Sequence, residues 1–419
     1  MNETRTQIVS RKRRGGRGVR LLIAWLIVTA VLGLPPVQAD QPFTIVQITP
    51  SSKTFGSSSP SINADGARIA FVSGSDLTGA NPDHNPEIFL YDTGAEQFSQ
   101  ITCSTQGQSG LPGINADGTR IVFLSRSDLT GDNPDGNWEI FLFDTQTTQL
   151  TQISVSTECD NMAPAISANG TRIAFRSTCA YFGGLGYWEI FLYDTDTGQI
   201  SQVSSISGES YAVSAPRPAI NADGTRVAYL LSELAGDNGE FDGEIYLFDT
   251  TTGLAAPITP VVVSRSGVFG LSINAAGTRV AFASWTDLTG GNPDGNMEIF
   301  LVDSTTGQLT QLTDTAGIQN QRPSMSGDGA YVAFDQGSDF WQEPYIEHEM
   351  FMVDTATLQL SQLTNAAQGG SVSPSVNADG THVAFSSTSD LTGGNPGGDE
   401  QIFLATSALL RIYLPLIYK

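Results

Sequence analysis

The sequence predicts an all-β protein, a seven-bladed β-propeller of four-stranded antiparallel blades whose ring is closed by the N-terminal strand. The first observation is a unit written seven times, with its central glycine at Gly66, Gly118, Gly170, Gly224, Gly277, Gly329 and Gly380. A period near 50 residues filled with strand-type residues marks a propeller or a solenoid. The second is that the two middle runs of each unit, such as Arg120–Leu124 and Glu139–Asp144, are nearly continuous in apolar residues. Both faces of such a sheet must be covered, as they are when blades stack around an axis. The third is that the seventh unit lacks a fourth strand, whereas Ile45-Val46-Gln47-Ile48-Thr49 ahead of the first unit has the fourth-strand pattern. Gln47 aligns there with Gln100, Gln152, Gln202, Gln311 and Gln362.

The second unit shows how each element follows. Gly113-Ile114 begins the pattern as a short first strand, and Asn115-Ala116-Asp117-Gly118 is the turn. Asp-Gly between apolar runs signals a hairpin, because Gly tolerates positive φ and Asp bonds its own backbone. Strands two and three follow, then a Thr-rich turn and Leu150-Thr151-Gln152-Ile153-Ser154. That last run alternates, as a half-solvated outer strand does, and Pro257 in the fourth unit is tolerable only on an edge. Each buried Ile or Phe contributes about 1.5–3 kcal/mol, but one blade alone has nothing to bury it against. Closing the ring through the N-terminal segment removes the exposed sheet edges of an open array.

The hairpin register sets Arg68 by Asp92, Arg120 by Asp144, Arg172 by Asp194, Arg226 by Asp249 and Arg279 by Asp303. In the sixth unit Tyr331 faces Asp354, and in the seventh His382 is expected to face Ala405. These pairs read as structural.

The flanks differ from the repeats. Arg5 to Arg20 is basic, Leu21–Leu34 is apolar and Val37-Gln38-Ala39 is small, so residues 1–39 read as a secretory signal, with an uncleaved anchor as the rival. The apolar run is short for a membrane span. The propeller is expected over 43–407 and an apolar tail over 408–419, which either packs on the last blade or serves in sorting or surface attachment. The expected location is secreted, periplasmic or at the cell envelope, as a monomer with no stable membrane span after cleavage.

The 419 residues carry 20 Lys and Arg against 43 Asp and Glu, a net charge of −23. Seven of the basic residues and one acid precede position 40, so 13 and 42 remain, a net of −29. Such a surface repels nucleic acid and anionic lipid and favours cations or basic partners, or serves solubility alone. Cys103, Cys159 and Cys179 allow one disulfide; there is no CxxC and no Cys/His cluster for zinc. In a propeller the two–three loops and the blade-to-blade links share one face, the mouth. Cys159, in the link into the third blade, and Cys179, beside its two–three loop, are therefore expected to pair, leaving Cys103 free.

Pro60-Ser61 with Asp65-Gly66-Ala67-Arg68-Ile69-Ala70-Phe71 forms a further pattern, matched by the stretches at 323–334 and 374–385. On these residues the repeats resemble the TolB-like group of WD-type β-propeller repeats. It extends over about 43–407 and implies architecture rather than activity. Some propellers of this group are metal-dependent lyases of pectin fragments built on clustered histidines. Here His84 and His348 are expected on the mouth face and His382 on the opposite face, so no such cluster is evident.

Chemistry is sought at the mouth. The two–three loop reads SDLTGANPDHNPEIF from Ser75, SDLTGDNPDGNWEIF from Ser127 and TDLTGGNPDGNMEIF from Thr286. In it Asn133, Asp135, Asn137 and Glu139 fall at every second position, a pattern of oxygen donors suited to Ca²⁺. The competing reading is an Asx/Pro turn whose side chains bond their own backbone. Tyr187, Trp188, Trp341 and Tyr345 are mouth-face aromatics able to hold sugar or peptide, or to pack against neighbouring loops. No G-x-S-x-G is present. The sequence is therefore read as a non-catalytic binding module for a protein or glycan at the mouth, without catalytic residues or organic cofactor. The alternative is a carbohydrate-active enzyme, lyase or glycosidase, using mouth acids.

Overall fold

A computed structural model describes residues 43–51, 55–157, 159–179, 188–204, 217–235, 240–259, 262–263, 269–338 and 347–407. These form seven antiparallel sheets arranged as the blades of a propeller. Blade two is typical, with strands Ser109–Ile114, Arg120–Ser125, Glu139–Asp144 and Gln149–Gln152 from the axis outward. The segments 1–42 and 408–419, which carry the leader and tail readings, lie outside the described residues.

Blade seven closes the ring. Its inner three strands are Ser371–Val376, His382–Ser387 and Gln401–Ser407, and its outermost strand is Phe43–Gln47. The pairing runs from Phe43 opposite Ser407 to Gln47 opposite Phe403. Gln47 explains its alignment with the other strand-four glutamines. Gln100, Gln311 and Gln47 each donate from Nε2 to the carbonyl two residues on, at 2.8–2.9 Å. Each Oε1 also accepts from the threonine of its blade's Asp-Leu-Thr-Gly loop, Thr78, Thr289 and Thr392 respectively. The glutamine thus clips the mouth loop to the outer strand.

The core lies between blades rather than within them. Each blade sets an aromatic pair across strands two and three, from Phe71–Phe89 to Phe385–Phe403, with centroids 5.7–5.9 Å apart. One hydrophobic layer joins Ala70, Ile88 and Leu90 of blade one to Ile114, Ile121 and Phe123 of blade two. Another joins Phe71 and Phe89 of blade one to Ala384, Ile402 and Leu404 of blade seven. Each blade is covered by its neighbours, as the continuous apolar runs require.

The face opposite the mouth is laced by main chain. Ala64 N–H donates to Ala116 O, Ala116 to Ala168, Asn169 to Ala222, Ala222 to Ala275, Ala275 to Gly327, Asp328 to Ala378 and Ala378 back to Ala64, at 2.8–3.2 Å. The seven Asn-Ala-type turns therefore form a closed hydrogen-bonded circle around the axis.

The arginines do more than pair within their blades. Arg172–Asp194 and Arg226–Asp249 are 3.1 and 2.9 Å apart, but Arg68–Asp92 and Arg120–Asp144 only 3.9 and 4.0 Å. Arg68, Arg120 and Arg279 instead donate from Nη1 to the carbonyls of Gly118, Gly170 and Gly329 in the next blade, at 2.7–3.2 Å. His382 faces Thr406, not Ala405. The third strand of that blade starts at Gln401, and the residue five positions on is Thr406, so the sequence alignment was one residue short. Blade four also departs from four strands: its middle strands, Arg226–Ala235 and Glu240–Asp249, are ten residues each, and Val262–Val263 adds a fifth.

Candidate functional site

The innermost strands line the central channel, and six of the seven carry a kink at mid-depth. Ser59, Leu111, Ala163, Arg322 and Ser373 have φ between 47° and 58°, each just before a proline, and Gly270 takes the same place in blade five. The register of the inner pair slips at each of these points. Such a bulge re-aims a side chain. Blade four has Arg217 before Pro218 at the corresponding place.

Arg217 crosses the channel. Its Nη1 and Nη2 lie 3.4 and 3.5 Å from the carbonyl oxygen of Pro112, on the inner strand of blade two. Blades two and four are not adjacent, so their inner strands can meet only through the channel. Among the described residues its Nε has no hydrogen-bond partner and no carboxylate pairs with it. Burial pulls its pKa down to about 10, so the guanidinium remains cationic at neutral pH. A poorly partnered guanidinium inside a channel is costly unless an anion meets it.

Arg322 is treated differently. Its Nε and Nη2 form a fork on Asp335 Oδ1 and Oδ2 at 2.8 and 3.0 Å. His348 Nδ1 lies 2.8 Å from Asp335 Oδ2, and its Nε2 lies 3.1 Å from Ser338 O. Asp335 and His348 are fully buried. Burial alone would raise the Asp335 pKa, but the charge of Arg322 and the hydrogen bonds from His348 and Arg322 outweigh it and hold the carboxyl below the usual range. Glu400, in the neighbouring blade, is pushed up by burial, against the opposing pull of Ser386 and Arg322.

At the mouth, the glutamate that starts strand three is a structural post. Glu139 is fully buried and accepts from Ser154 Oγ, Ser156 N and Oγ, and Asn161 Nδ2. Burial raises its pKa despite those donors. Glu298 repeats the pattern with Thr313, Thr315, Asn296 and Asn320. Asp128 Oδ1 caps Gly131 N and Asn133 N, as in an Asx turn. Of the four calcium-type positions, Glu139 is therefore saturated by protein donors and Asp135 stands exposed at the loop tip. Asn133 and Asn137 each donate from Nδ2 to backbone carbonyls, while their Oδ1 atoms are buried without a partner.

Among the mouth aromatics, Trp188 lies under the Arg176 guanidinium, 4.7 Å from ring centroid to Cζ. Tyr187, Trp341 and Tyr345 lie outside the described residues. Cys159 and Cys179 are joined by a disulfide, and Cys103 is free and exposed. His84 stacks on Phe55 at 4.0 Å. His84, His348 and His382 sit in different blades, and among the described residues no three of His, Cys, Asp and Glu converge on a metal-sized space. At the far end of the channel, residues such as Ile62, Asn63 and Ala64 and their counterparts enclose about 180 Å³. Sequence reasoning missed Arg217 and Arg322. The available signal was the residue before the strand-one proline, which is Ser, Leu or Ala elsewhere and arginine twice.

No family model and no curated protein matches the sequence. Solved structures do match. An oligogalacturonate lyase from Vibrio parahaemolyticus superposes with a TM-score of 0.60 at 12% identity, over 88% of this chain and 94% of that one. An oligogalacturonate lyase in complex with manganese gives 0.61 at 14% identity, over the same shares. A TolB of Agrobacterium tumefaciens gives 0.45 at 16% identity, over 75% of this chain and 96% of that one, too loose to bear on anything further. At these identities the likeness to the lyases establishes the architecture alone: the chain is a seven-bladed β-propeller.

Proposed function

We propose that this protein is an exported, non-catalytic binding module that takes a carboxylate-bearing ligand into the mouth of its central channel, with Arg217 as the anchor. One observation carries the reading: among the described residues no carboxylate pairs with the guanidinium that spans the channel, in a chain whose 43 acidic residues outnumber its basic ones two to one. The acidic mouth loops would repel most anions, so a ligand must present its charge where Arg217 can reach it. Acidic sugars meet that condition, and the lyases that share the architecture are named for one. Export is supported by the leader-like residues 1–39 and by the disulfide, a bond of oxidising compartments. Among the described residues no helix is long and apolar enough to cross a membrane.

The lyase reading has less support. A proton-transfer group must open to the channel, whereas His348 and Asp335 are fully buried and both His348 nitrogens already face acceptors. The described residues do not assemble a manganese site of clustered histidines or carboxylates. Calorimetric titration with trigalacturonate, its methyl ester and a neutral glucan tests the proposal. Binding of the free acid alone, lost in Arg217→Gln, is expected. Equal binding by the ester, or an unaffected variant, would sink it, and release of an unsaturated sugar would revive the enzyme.

A further inference from the structure

Four mouth loops keep the sequence Asp-Leu-Thr-Gly-x-Asn-Pro, at 76–82, 128–134, 287–293 and 390–396. In each, the asparagine is buried: Asn81, Asn133, Asn292 and Asn395 are 1–2% exposed. Their Nδ2 groups are committed to main-chain carbonyls, those of Asn85, Asn137, Asn296 and Asp399, at 2.7–3.1 Å. The next asparagine in three of the loops is fixed the same way. Asn85 donates to Ser104 O, Asn137 to Ser156 O and Cys159 O, and Asn296 to Thr315 O and Ile318 O.

These bonds settle the amide orientations, because exchanging O and N would set carbonyl against carbonyl. The other end of every one of these amides is then an oxygen. Oδ1 of Asn81, Asn85, Asn133, Asn137, Asn292, Asn296 and Asn395 is buried with no hydrogen-bond partner. A buried acceptor left unmet costs about 1–3 kcal/mol, and the defect recurs at equivalent places in blades one, two, five and seven. A shared occupant explains that recurrence better than seven separate defects. Each pair lies within one short turn, and every orphan is an acceptor. The loops also carry acids and no lysine: Asp76 and Asp83, then Asp128, Asp132 and Asp135, Asp287 and Asp294, and Asp390 and Asp399.

We propose that each of the four loops holds a hard cation, Ca²⁺ foremost, on these amide oxygens: Asn81 with Asn85, Asn133 with Asn137, Asn292 with Asn296, and Asn395. Calcium accepts neutral carbonyl oxygens and completes its shell with water and carboxylate. Three of the loops carry no histidine or cysteine, and in the first His84 is stacked on Phe55 with Nδ1 3.2 Å from Gly74 O, which disfavours zinc and copper. Glu139, saturated by protein donors, is not a ligand. The site is separate from the Arg217 channel and does not depend on how that channel is used.

The test uses the whole protein, stripped of metal with EDTA and dialysed. Titration with CaCl₂ is expected to reach about four ions per chain, and saturating Ca²⁺ is expected to raise the melting midpoint by about 5 °C or more over EDTA. Asn292→Ala is expected to remove one ion and about a quarter of that calcium-dependent rise. A purely structural role for Asn292 would lower the midpoint equally with and without calcium and leave the stoichiometry unchanged, which would overturn the assignment. Identical melting of the wild-type protein in EDTA and calcium, with no ion bound, would show that water fills these sites. That second result stands even if the variant does not fold.

Discussion

Gly118 offers the sharpest probe of how the blades are joined. Its φ is +71°, and a Cβ placed there would sit 2.6 Å from Arg68 Cδ and 3.2 Å from Asn63 Nδ2. Gly118→Ala therefore carries two costs. Holding a non-glycine residue in the left-handed region costs roughly 1–2 kcal/mol. The methyl group also displaces the Arg68 stem, whose Nη1 donates to Gly118 O at 2.9 Å. A hydrogen bond to a charged group contributes about 1.5–3 kcal/mol, so the total loss is about 3–5 kcal/mol. Gly253 has nearly the same φ, +68°, with nothing within 4 Å of its added Cβ. Gly253→Ala should thus cost only the conformational part, about 1–2 kcal/mol. In an Arg68→Ala background, Gly118→Ala should fall toward that smaller value, a coupling of about 2 kcal/mol in a double-mutant cycle. Urea unfolding followed by tryptophan fluorescence reads all four corners. Equal losses at Gly118 and Gly253, or a coupling near zero, would refute the view that these arginines staple one blade to the next.

Two further outcomes follow from the closure and the buried cluster. Removing residues 1–49 deletes the strand paired with Gln401–Ser407 and exposes that edge, so size-exclusion chromatography is expected to show oligomers or aggregate in place of a monomer; a stable monomer would mean that closure is dispensable. Asp335→Asn leaves Arg322 and His348 facing a neutral amide and is expected to cost about 3–5 kcal/mol. The Asp335 carboxyl is depressed in the folded state, so its contribution is present above the unfolded value near 4 and is lost as pH falls through the lower folded value. Wild-type stability should therefore decline more steeply below about pH 4 than that of Asp335→Asn, and parallel acid-unfolding curves would contradict the assignment.

The architecture was legible because the repeat exposes its own logic. Seven Asp-Gly-type turns, unbroken apolar pairs of strands and a displaced fourth strand each dictate a local structure, and only a ring satisfies all of them. The mouth loops were legible as turns, and Asp128 accepts from Gly131 N and Asn133 N as such a turn implies. The role of Glu139 was not legible. Its position among alternating oxygen residues looks like a ligand, but the strand pleat carries it inward to Ser154, Ser156 and Asn161. Arg217 was hidden for a different reason. Its significance arises from a carbonyl 105 residues away on a non-adjacent blade, and no local pattern encodes that approach.

The circle of main-chain bonds at the Asn-Ala turns has a bearing on how this molecule can change. Since amide and carbonyl groups make it, side-chain replacement there leaves the linkage in place, each unit giving one donor and one acceptor to the loop of seven. Variation is thereby steered to the opposite pole, where units three, four and six have already drifted away from the shared loop sequence. That pole can acquire new specificities one segment at a time while the pole beneath it keeps the count and the diameter constant.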